Sequence, residues 1–508
     1  MCGFIFQLDK LKKVDIEAFN DALNNMSWRG PDAQSVKELN CGKVLLGHCR
    51  LSIMDPVERS NQPMVSQNGR YFIVFNGEIY NHLKLRDELN LDCGTLSDTE
   101  TILKGYEKLG SDVFKLLDGM FAVVIYDSLD NSWVASRDAF GIKPMYISKE
   151  NNQIIIGSEP SAIAGMANLK PCNISLEEWR LIRRPLPGKS YFKGVEEVMP
   201  GSILTSEGKE SFHWKWEAES NMFEQSVFES KLKQSVMSHA LSDVDNVTLL
   251  SGGLDSAIIA ALSSVKKAYT VGLKDNNEFE GAEDSANVTG KKLVKVVLTE
   301  SDIIESWGYL TRLRGEPLSL PNEALIYNVC KSMLKSEKVV LTGEGADEIL
   351  FGYDGIFRWA TNQKTIETKP FLRRYGYSDT AYSQRLEKYV DELKKDKTPI
   401  EFVEDFFYQV HLPGLLRRMD FSSMAASKEA RVPFVNKSLI GYMYRKPWQI
   451  KINDVESKIP VRKIAEHLNL KGALNRKKIG FSAQLNKKVS RQDDYKKFQD
   501  IVMKELGW

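Results

Sequence analysis

The stretch Val247-Thr-Leu-Leu-Ser-Gly-Gly-Leu-Asp-Ser-Ala-Ile-Ile-Ala-Ala-Leu262 decides the fold of the larger part of this chain. Val247 to Leu250 reads as a short buried strand, Ser251 to Ser256 as a Gly-rich turn, and Ala257 to Leu262 as an apolar helix. A second strand, Val339-Val-Leu341, leads into Thr342-Gly-Glu-Gly-Ala-Asp-Glu348 and again into helix-like sequence. Strand, glycine turn and helix in succession are the grammar of a parallel α/β sheet. In the first turn the glycines let backbone N–H groups face a ligand, the serines add hydroxyl donors, and the helix presents its positive end. Together these make a phosphate cradle. Asp255 beside it suits Mg²⁺, which takes oxygen ligands and shares substrate phosphates. A Gly-Gly pair alone is as well explained by an ordinary strand-to-helix turn, but the full hexapeptide goes beyond that. It is not a Walker loop, because the Gly-Lys-[Ser/Thr] ending is missing. In the second turn, Gly343-x-Gly345 imitates a dinucleotide fingerprint, yet the sixth position is Glu348 instead of Gly. The clustered carboxylates are the better signal. Like charges this close repel unless a cation holds them, so Glu344 and Asp347 are candidates for metal binding or acid–base work. A plain acidic helix N-terminus, stabilised by the dipole alone, is the competing reading.

Outward from this stretch the character of the chain changes. The first 200 residues carry short β-type runs (Gly3-Phe-Ile-Phe6, Val44-Leu-Leu46, Tyr71 to Phe75, Phe121 to Tyr126, Gln153 to Ile156) separated by Gly, Asn and Asp. That pattern predicts mainly antiparallel sheets with a few helices. Helical periodicity takes over from about residue 220, with Phe228, Leu232, Val236 and Ala240 four apart on one face. We place a boundary between 201 and 220, where the polar Thr205 to Ser211 reads as a turn or linker, giving domains over 2–205 and 220–508.

Composition bounds the function. The 508 residues hold 69 Lys plus Arg against 68 Asp plus Glu and are 42% hydrophobic, which argues against disorder and against bulk neutralisation of nucleic acid. No run approaches the roughly 18 apolar residues of a membrane span. The start, Met-Cys-Gly-Phe-Ile-Phe-Gln, lacks the basic and apolar regions of a secretory signal. The expectation is a soluble, cytoplasmic chain with no nucleic-acid or membrane partner. Six scattered cysteines without a Cys-x-x-Cys pair, and six scattered histidines, encode neither a disulfide framework nor a zinc site.

Cys2 follows the initiator, and removal of Met1 would leave an N-terminal cysteine whose α-amine, with a reference pKa of about 7.7 to 8.0, serves its own thiol as base. A cysteine at position 2 is usually accidental; three further segments change the estimate. They are Cys49-Arg-Leu-Ser-Ile53, Phe75-Asn-Gly-Glu-Ile-Tyr-Asn81 and Ser97-Asp-Thr-Glu100. Arg50 suits an α-carboxylate, Glu78 and Asp98 suit an α-ammonium, and Asn76 with the Gly77 N–H suits an oxyanion hole. These are the parts needed to hydrolyse the side-chain amide of an amino acid, with glutamine the obvious candidate.

With these residues in hand, the chain resembles the glutamine-dependent asparagine synthetases, of the class II glutamine amidotransferases. Landmarks run almost end to end: Met1-Cys-Gly, Arg29-Gly-Pro-Asp32, Arg50 to Ile53, Asn76 to Asn81, Ser97 to Glu100, Gly119-Met-Phe-Ala122, Arg137-Asp138, Gly141-Ile-Lys-Pro144, Ser251 to Ser256, Gly343 to Glu348 and Ala430-Arg-Val-Pro-Phe434. The resemblance implies an N-terminal-nucleophile αββα sandwich joined to a parallel-sheet ATP-pyrophosphatase domain. It further implies that ammonia from glutamine passes through an internal tunnel to aspartate activated by ATP as its acyl-adenylate, with AMP and pyrophosphate leaving. Carried over by position, Cys2 is the nucleophile, Asn76 and Gly77 form the oxyanion hole, and Arg50, Glu78 and Asp98 bind glutamine. Ser251, Gly252, Gly253, Asp255 and Ser256 hold pyrophosphate with Mg²⁺, Asp347 is the second metal carboxylate, and Leu249, Val271 and Gly343 contact the nucleotide. Glu344 serves the synthetase step, and Lys458 neutralises phosphate charge. Lys458 lies near a basic stretch (Arg476, Lys477, Lys478, Lys487, Lys488) whose default reading is a solvated face. A homodimer is compatible with the family.

Three departures bear on the acceptor. Trp28 stands where His is frequent, Val432-Pro-Phe-Val-Asn436 replaces the usual ending in Leu-Asp, and Gly315 to Glu323 lacks the common Asp-Pro-Ser pattern. The last segment is expected near the second substrate. The alternative to aspartate is another carboxylate, such as a uronic-acid sugar in polysaccharide assembly.

Overall fold

Alternation along Cys2–Asp9 (β1) turns Cys2, Phe4 and Phe6 to one face and Ile5 to the other, and this strand organises the first of two structural units. In a computed structural model, residues 2–150, 152–378, 380–476 and 491–508 are described. The first unit comprises Met1–Cys172, Pro187–Lys215 and Ser242–Val244. Its strands are β1, Ala33–Leu39 (β2), Val44–Arg50 (β3), Met64–Val65 (β4), Tyr71–Ile79 (β5), Gly119–Asp127 (β6), Ser132–Arg137 (β7), Tyr146–Ser148 (β8), Gln153–Gly157 (β9), Glu196–Glu197 (β10), Ser202–Thr205 (β11) and Glu210–Phe212 (β12). They form two antiparallel sheets ordered β10-β8-β9-β1-β3-β2 and β12-β11-β7-β6-β5-β4.

The inner faces meet in one core: Phe4, Phe6, Val44 and Leu46 from the first sheet against Phe72, Val74, Ala122, Val124 and Tyr126 from the second. Each outer face is covered by helices. Ile73, Phe75, Val123 and Ile125 pack with Ile102 and Leu103 of the helix Asp98–Leu109. On the other side, Phe19 and Leu23 of the helix Ile16–Asn24 lie so close to β3 that only glycine fits at position 47. This is the αββα sandwich expected from the sequence. The polar stretch read as a turn or linker is the turn of a hairpin, with β11 and β12 paired from Ser202↔Phe212 to Leu204↔Glu210; Gly208, at φ +80°, supplies the left-handed turn residue.

The second unit comprises Asn173–Leu186, Trp216–Leu241 and Asp245–Trp508. Asp245–Leu249 (β13), Lys267–Leu273 (β14), Lys292–Leu298 (β15), Glu337–Leu341 (β16) and Glu429–Arg431 (β17) form a parallel sheet ordered β15-β14-β13-β16-β17. The order reverses around β13 and β16, so their carboxyl ends flank the crevice where ligands settle in such sheets. Both Gly-rich turns leave from those two ends. The predicted face of Phe228, Leu232 and Val236 is buried along the helix Gln225–His239.

Candidate active sites

In the first unit, period-two alternation sets Asn76 and Glu78 on the inner face of β5, beyond Phe72 and Val74. Cys2 stands directly opposite Arg50 in the β1–β3 ladder. The Cys2 backbone nitrogen donates to Asn76 Oδ1 at 3.0 Å, which fixes the orientation of the amide. Asn76 Nδ2 is then buried with no hydrogen-bond partner among the described residues. A buried, uncommitted N–H₂ beside a thiol is what an oxyanion hole requires. Gly77 has no room for a side chain, because a methyl group there would overlap Met120 O across the β5–β6 ladder. Asp98, at the start of its helix, accepts from Ile79 N at 2.9 Å, and Glu78 is buried beside that strand end. Met1 lies outside the described residues.

Three further residues brace this site, and the sequence reading gave none of them a role. Arg29, fully buried, donates from Nε to Cys2 O at 3.0 Å and pairs through Nη1 with Glu159 at 2.6 Å. His48, on the same face of β3 as Arg50, contacts Phe75 O through Nε2 at 3.1 Å; burial, with the Arg50 charge adding to it, pushes its pKa down to about 3. A neutral His48 donating to a carbonyl ties β3 to β5 one residue before Asn76. Trp28 lies against Arg29, whose guanidinium is 5.4 Å from the ring centre, so that departure packs on the brace.

Arg50 differs from its expected use. Nη1 donates to Val57 O at 2.7 Å and Asn61 Oδ1 at 2.8 Å, and Nη2 to Met54 O at 3.0 Å and Asp55 O at 2.7 Å. All four terminal N–H groups are directed at the loop 54–61, whose carbonyls converge on the guanidinium. A bidentate clamp on a carboxylate therefore needs that loop to release part of the fork.

In the second unit, Gly253 caps the helix Leu254–Leu262, and Asp255 and Ser256 lie in its first turn. Ser256 Oγ accepts from Ser251 N at 3.1 Å and donates to Gly253 O at 3.0 Å, so the loop folds onto its own hydroxyl. Gly252 has φ +77°, and a methyl there would stand 2.9 Å from Gly281. Gly343, just past β16, lets the second turn approach to where its absent methyl would be 2.9 Å from Asp255. Leu249 ends β13, and Val271 is buried two residues beyond Tyr269, its neighbour in the β13–β14 register. Lys458 reaches this place from the far end of the chain. Its Nζ lies 2.6 Å from Asp255 Oδ2 and 2.6 Å from Asp347 Oδ1. Among the described residues no group of three or more His, Cys, Asp and Glu side chains forms a metal cage. Two converging carboxylates beside an anion-binding turn fit Mg²⁺, which keeps waters and shares phosphates. Asp255 Oδ1, buried and without a hydrogen-bond partner among the described residues, is the oxygen that fits such a cation.

Glu344 is held by Arg418, whose Nη2 lies 2.8 Å from Glu344 Oε1 and whose Nη1 donates to Asn322 Oδ1 at 3.3 Å. The segment Gly315 to Glu323, expected near the second substrate, is thereby tied to the carboxylate cluster by one guanidinium. Burial, then Asp347 and Glu344, push Glu348 up to about 8, and Tyr353 donates to it at 2.7 Å. Its neighbour His411 belongs to a single π-turn, Phe407–His411, between two helices, a distortion common at functional sites. Arg476, read from sequence as part of a solvated face, instead donates to Gly252 O at 3.4 Å; Lys477, Lys478, Lys487 and Lys488 lie outside the described residues. Asn436, from the second departure, caps the helix Lys437–Met443 by accepting from Ser438 N at 2.9 Å, a task Asn and Asp perform equally well.

Two family profiles match the chain: a glutamine amidotransferase domain over residues 1–217 and asparagine synthase over residues 227–506. The chain belongs to the asparagine synthase family. Among curated members, asparagine synthetase [glutamine-hydrolyzing] 3 of Bacillus subtilis is 28% identical over 94% of this chain and 86% of its own. Asparagine synthetase [glutamine-hydrolyzing] 1 of the same organism is 28% identical over 95% and 87%. Asparagine synthetase B [glutamine-hydrolyzing] of Escherichia coli is 29% identical over 72% and 67%. ATP is the co-substrate of this asparagine synthase family. Among the described residues no helix is long and apolar enough to cross a membrane.

Proposed function

We propose that this asparagine synthase family member is a carbon–nitrogen ligase that uses glutamine and ATP to amidate aspartate to asparagine, releasing glutamate, AMP and pyrophosphate. The observation that carries the reading is the meeting of Asp255, Asp347 and Lys458, where residues 203 positions apart close on the glycine turn. In the first unit, Cys2 attacks the glutamine amide while its thiol proton passes through its own freed α-amine to the departing ammonia, and water then cleaves the resulting glutamyl thioester to release glutamate and restore the thiol; Asn76 Nδ2 with the Gly77 N–H receive the oxyanion in each step. Glu78 and Asp98 take the α-ammonium, and Arg50 takes the α-carboxylate once the loop 54–61 yields.

In the second unit, the residues of 251–256 cradle the β- and γ-phosphates, while Leu249, Val271 and Gly343 border the nucleoside. Mg²⁺, held by Asp255 and Asp347, would offset phosphate charge. The aspartate side-chain carboxylate attacks the α-phosphorus to give β-aspartyl-AMP. Lys458 stabilises the charge that develops on the phosphates, and ammonia then displaces AMP. Glu344, oriented by Arg418, receives the proton that the attacking ammonia must lose. The ammonia is channelled from the Cys2 site. The working place is the cytoplasm, where a free thiol persists, and we expect a homodimer.

Aspartate as acceptor is supported by relatives that carry the asparagine synthetase name across nearly the whole chain; a uronic-acid sugar is not favoured. The test supplies amide-¹⁵N glutamine, ATP and a panel of carboxylic acids and identifies the labelled amide by mass spectrometry. Labelled asparagine is expected. Another labelled amide in its place would overturn the reading.

A further inference from the structure

The position of the Lys458 ammonium raises a question that phosphate neutralisation does not answer. The ammonium sits on the two carboxylates, 2.6 Å from one oxygen of each, although both would be engaged by a divalent cation. Several features hold it there. Lys458 has φ +58° and ψ 36°, a left-handed conformation that is strained for a residue with a side chain. Its N–H donates to Leu350 O at 3.3 Å, in the turn that carries Asp347. Gly352 leaves the necessary space, since a methyl group there would overlap both Asp347 Oδ1 and Lys458 Cε. Backbone conformation, a turn hydrogen bond and an absent side chain therefore all serve one placement of one ammonium.

Charge explains why a cation must be present. Asp255 and Asp347 converge beside Glu344 and Glu348, so the empty pair would repel and splay. A single ammonium offsets one of the two carboxylate charges. It is a compact, mobile point charge on a flexible stem, whereas Mg²⁺ offsets both and takes its oxygen ligands from the same two carboxylates. With Asp255 Oδ1 open beside the Oδ2 that Lys458 holds, the two cations compete through charge at Asp255 and for one oxygen, Oδ1, at Asp347.

We propose that Lys458 is the resident counter-ion of the Asp255–Asp347 pair, and that a divalent cation displaces its ammonium toward the phosphates. Lys458 is then first a positioning residue, which keeps the carboxylates converged, and only afterwards a phosphate ligand. Cation binding and delivery of the lysine become one exchange. This inference rests on the reading of 251–256 as the pyrophosphate site, but its measurements need no acceptor and no turnover, so a wrong acceptor would leave them unaffected.

The first test measures Mn²⁺ binding to the full chain without nucleotide, by the EPR signal of free Mn²⁺. Lys458→Met, similar in length but uncharged, should bind Mn²⁺ about tenfold more tightly than wild type, because the competing charge is gone. Lys458→Arg should bind as weakly as wild type, and Lys458→Met/Asp255→Asn should lose the gain. Equal or weaker binding by Lys458→Met, or a gain that survives Asp255→Asn, would overturn the proposal. The second test uses the unaltered protein and so does not depend on a variant's folding. Acetylation of Lys458, followed by peptide mass spectrometry, should accelerate when saturating Mg²⁺ is added and slow again when pyrophosphate joins it. A rate that Mg²⁺ leaves unchanged would reject the exchange.

Discussion

The backbone nitrogen of Cys2 donates to Asn76 Oδ1 at 3.0 Å, and this single contact turns the other end of the amide, Nδ2, into a buried donor with nothing else to bind among the described residues. One side chain thus orients the nucleophile and awaits the charge it creates.

Asn76→Asp separates those two tasks, because it keeps an oxygen for Cys2 N and removes the donor. Glutamine hydrolysis should fall by about 10²- to 10³-fold in kcat, with a much smaller change in KM. Initial rates of glutamate release check this; an unchanged kcat would place the oxyanion elsewhere.

Cys2→Ala should abolish glutamine use and leave asparagine formation from added ammonia intact, since the thiol serves only amide cleavage. Parallel assays with the two nitrogen sources decide it. Loss of both activities would contradict separate sites.

Gly352→Ala inserts a methyl group where Asp347 Oδ1 and Lys458 Cε already meet. Ammonia-dependent synthesis should drop at least about tenfold, with a stability loss of about 1–3 kcal/mol from overpacking, while glutaminase activity persists. Wild-type synthesis in this variant would show that the Asp347–Lys458 contact is dispensable.

Acid should unfold the protein through its buried histidines. Burial holds His48, His239 and His411 at about 3, against an ordinary 6.5. Their folded pKa values are depressed, so between pH 6.5 and 3 the unfolded chain binds more protons and stability falls as pH falls. Each contributes a slope of about 1.4 kcal/mol per pH unit in that window. Denaturant midpoints across pH 4 to 7 should flatten measurably in His48→Gln, whose side-chain amide still donates to Phe75 O; an unaltered slope would mean that His48 is protonated in the native state.

Much of this architecture was legible because its signals are local. Period-two alternation places Cys2 with Phe4 and Phe6, and Asn76 with Phe72 and Val74, so nucleophile and oxyanion donor fall on facing inner surfaces. The glycine turns follow strands within a few residues. What escaped depends on contacts distant in sequence. Arg418 reaches Glu344 across 74 positions, and Arg476 reaches Gly252 across 224; an arginine in a charged stretch carries no mark of which carboxylate or carbonyl will close on it. His48 was passed over because a lone histidine on a strand looks the same whether it bridges two sheets or points to water. Arg50 was singled out for an α-carboxylate, but its pairing with Cys2 and its engagement with the loop 54–61 depend on where the strands and four carbonyl and amide oxygens come to rest, and no pattern of side chains encodes that.

That engagement has a kinetic meaning. If glutamine is to use the Arg50 fork, the loop 54–61 must first stand away from it, and only the fraction of molecules in which it does so can bind the α-carboxylate bidentately. The measured glutamine affinity is then the intrinsic affinity multiplied by that fraction. Residues such as Val57 and Asn61, which need never touch the substrate, would set the glutamine concentration at which the Cys2 site begins to release ammonia.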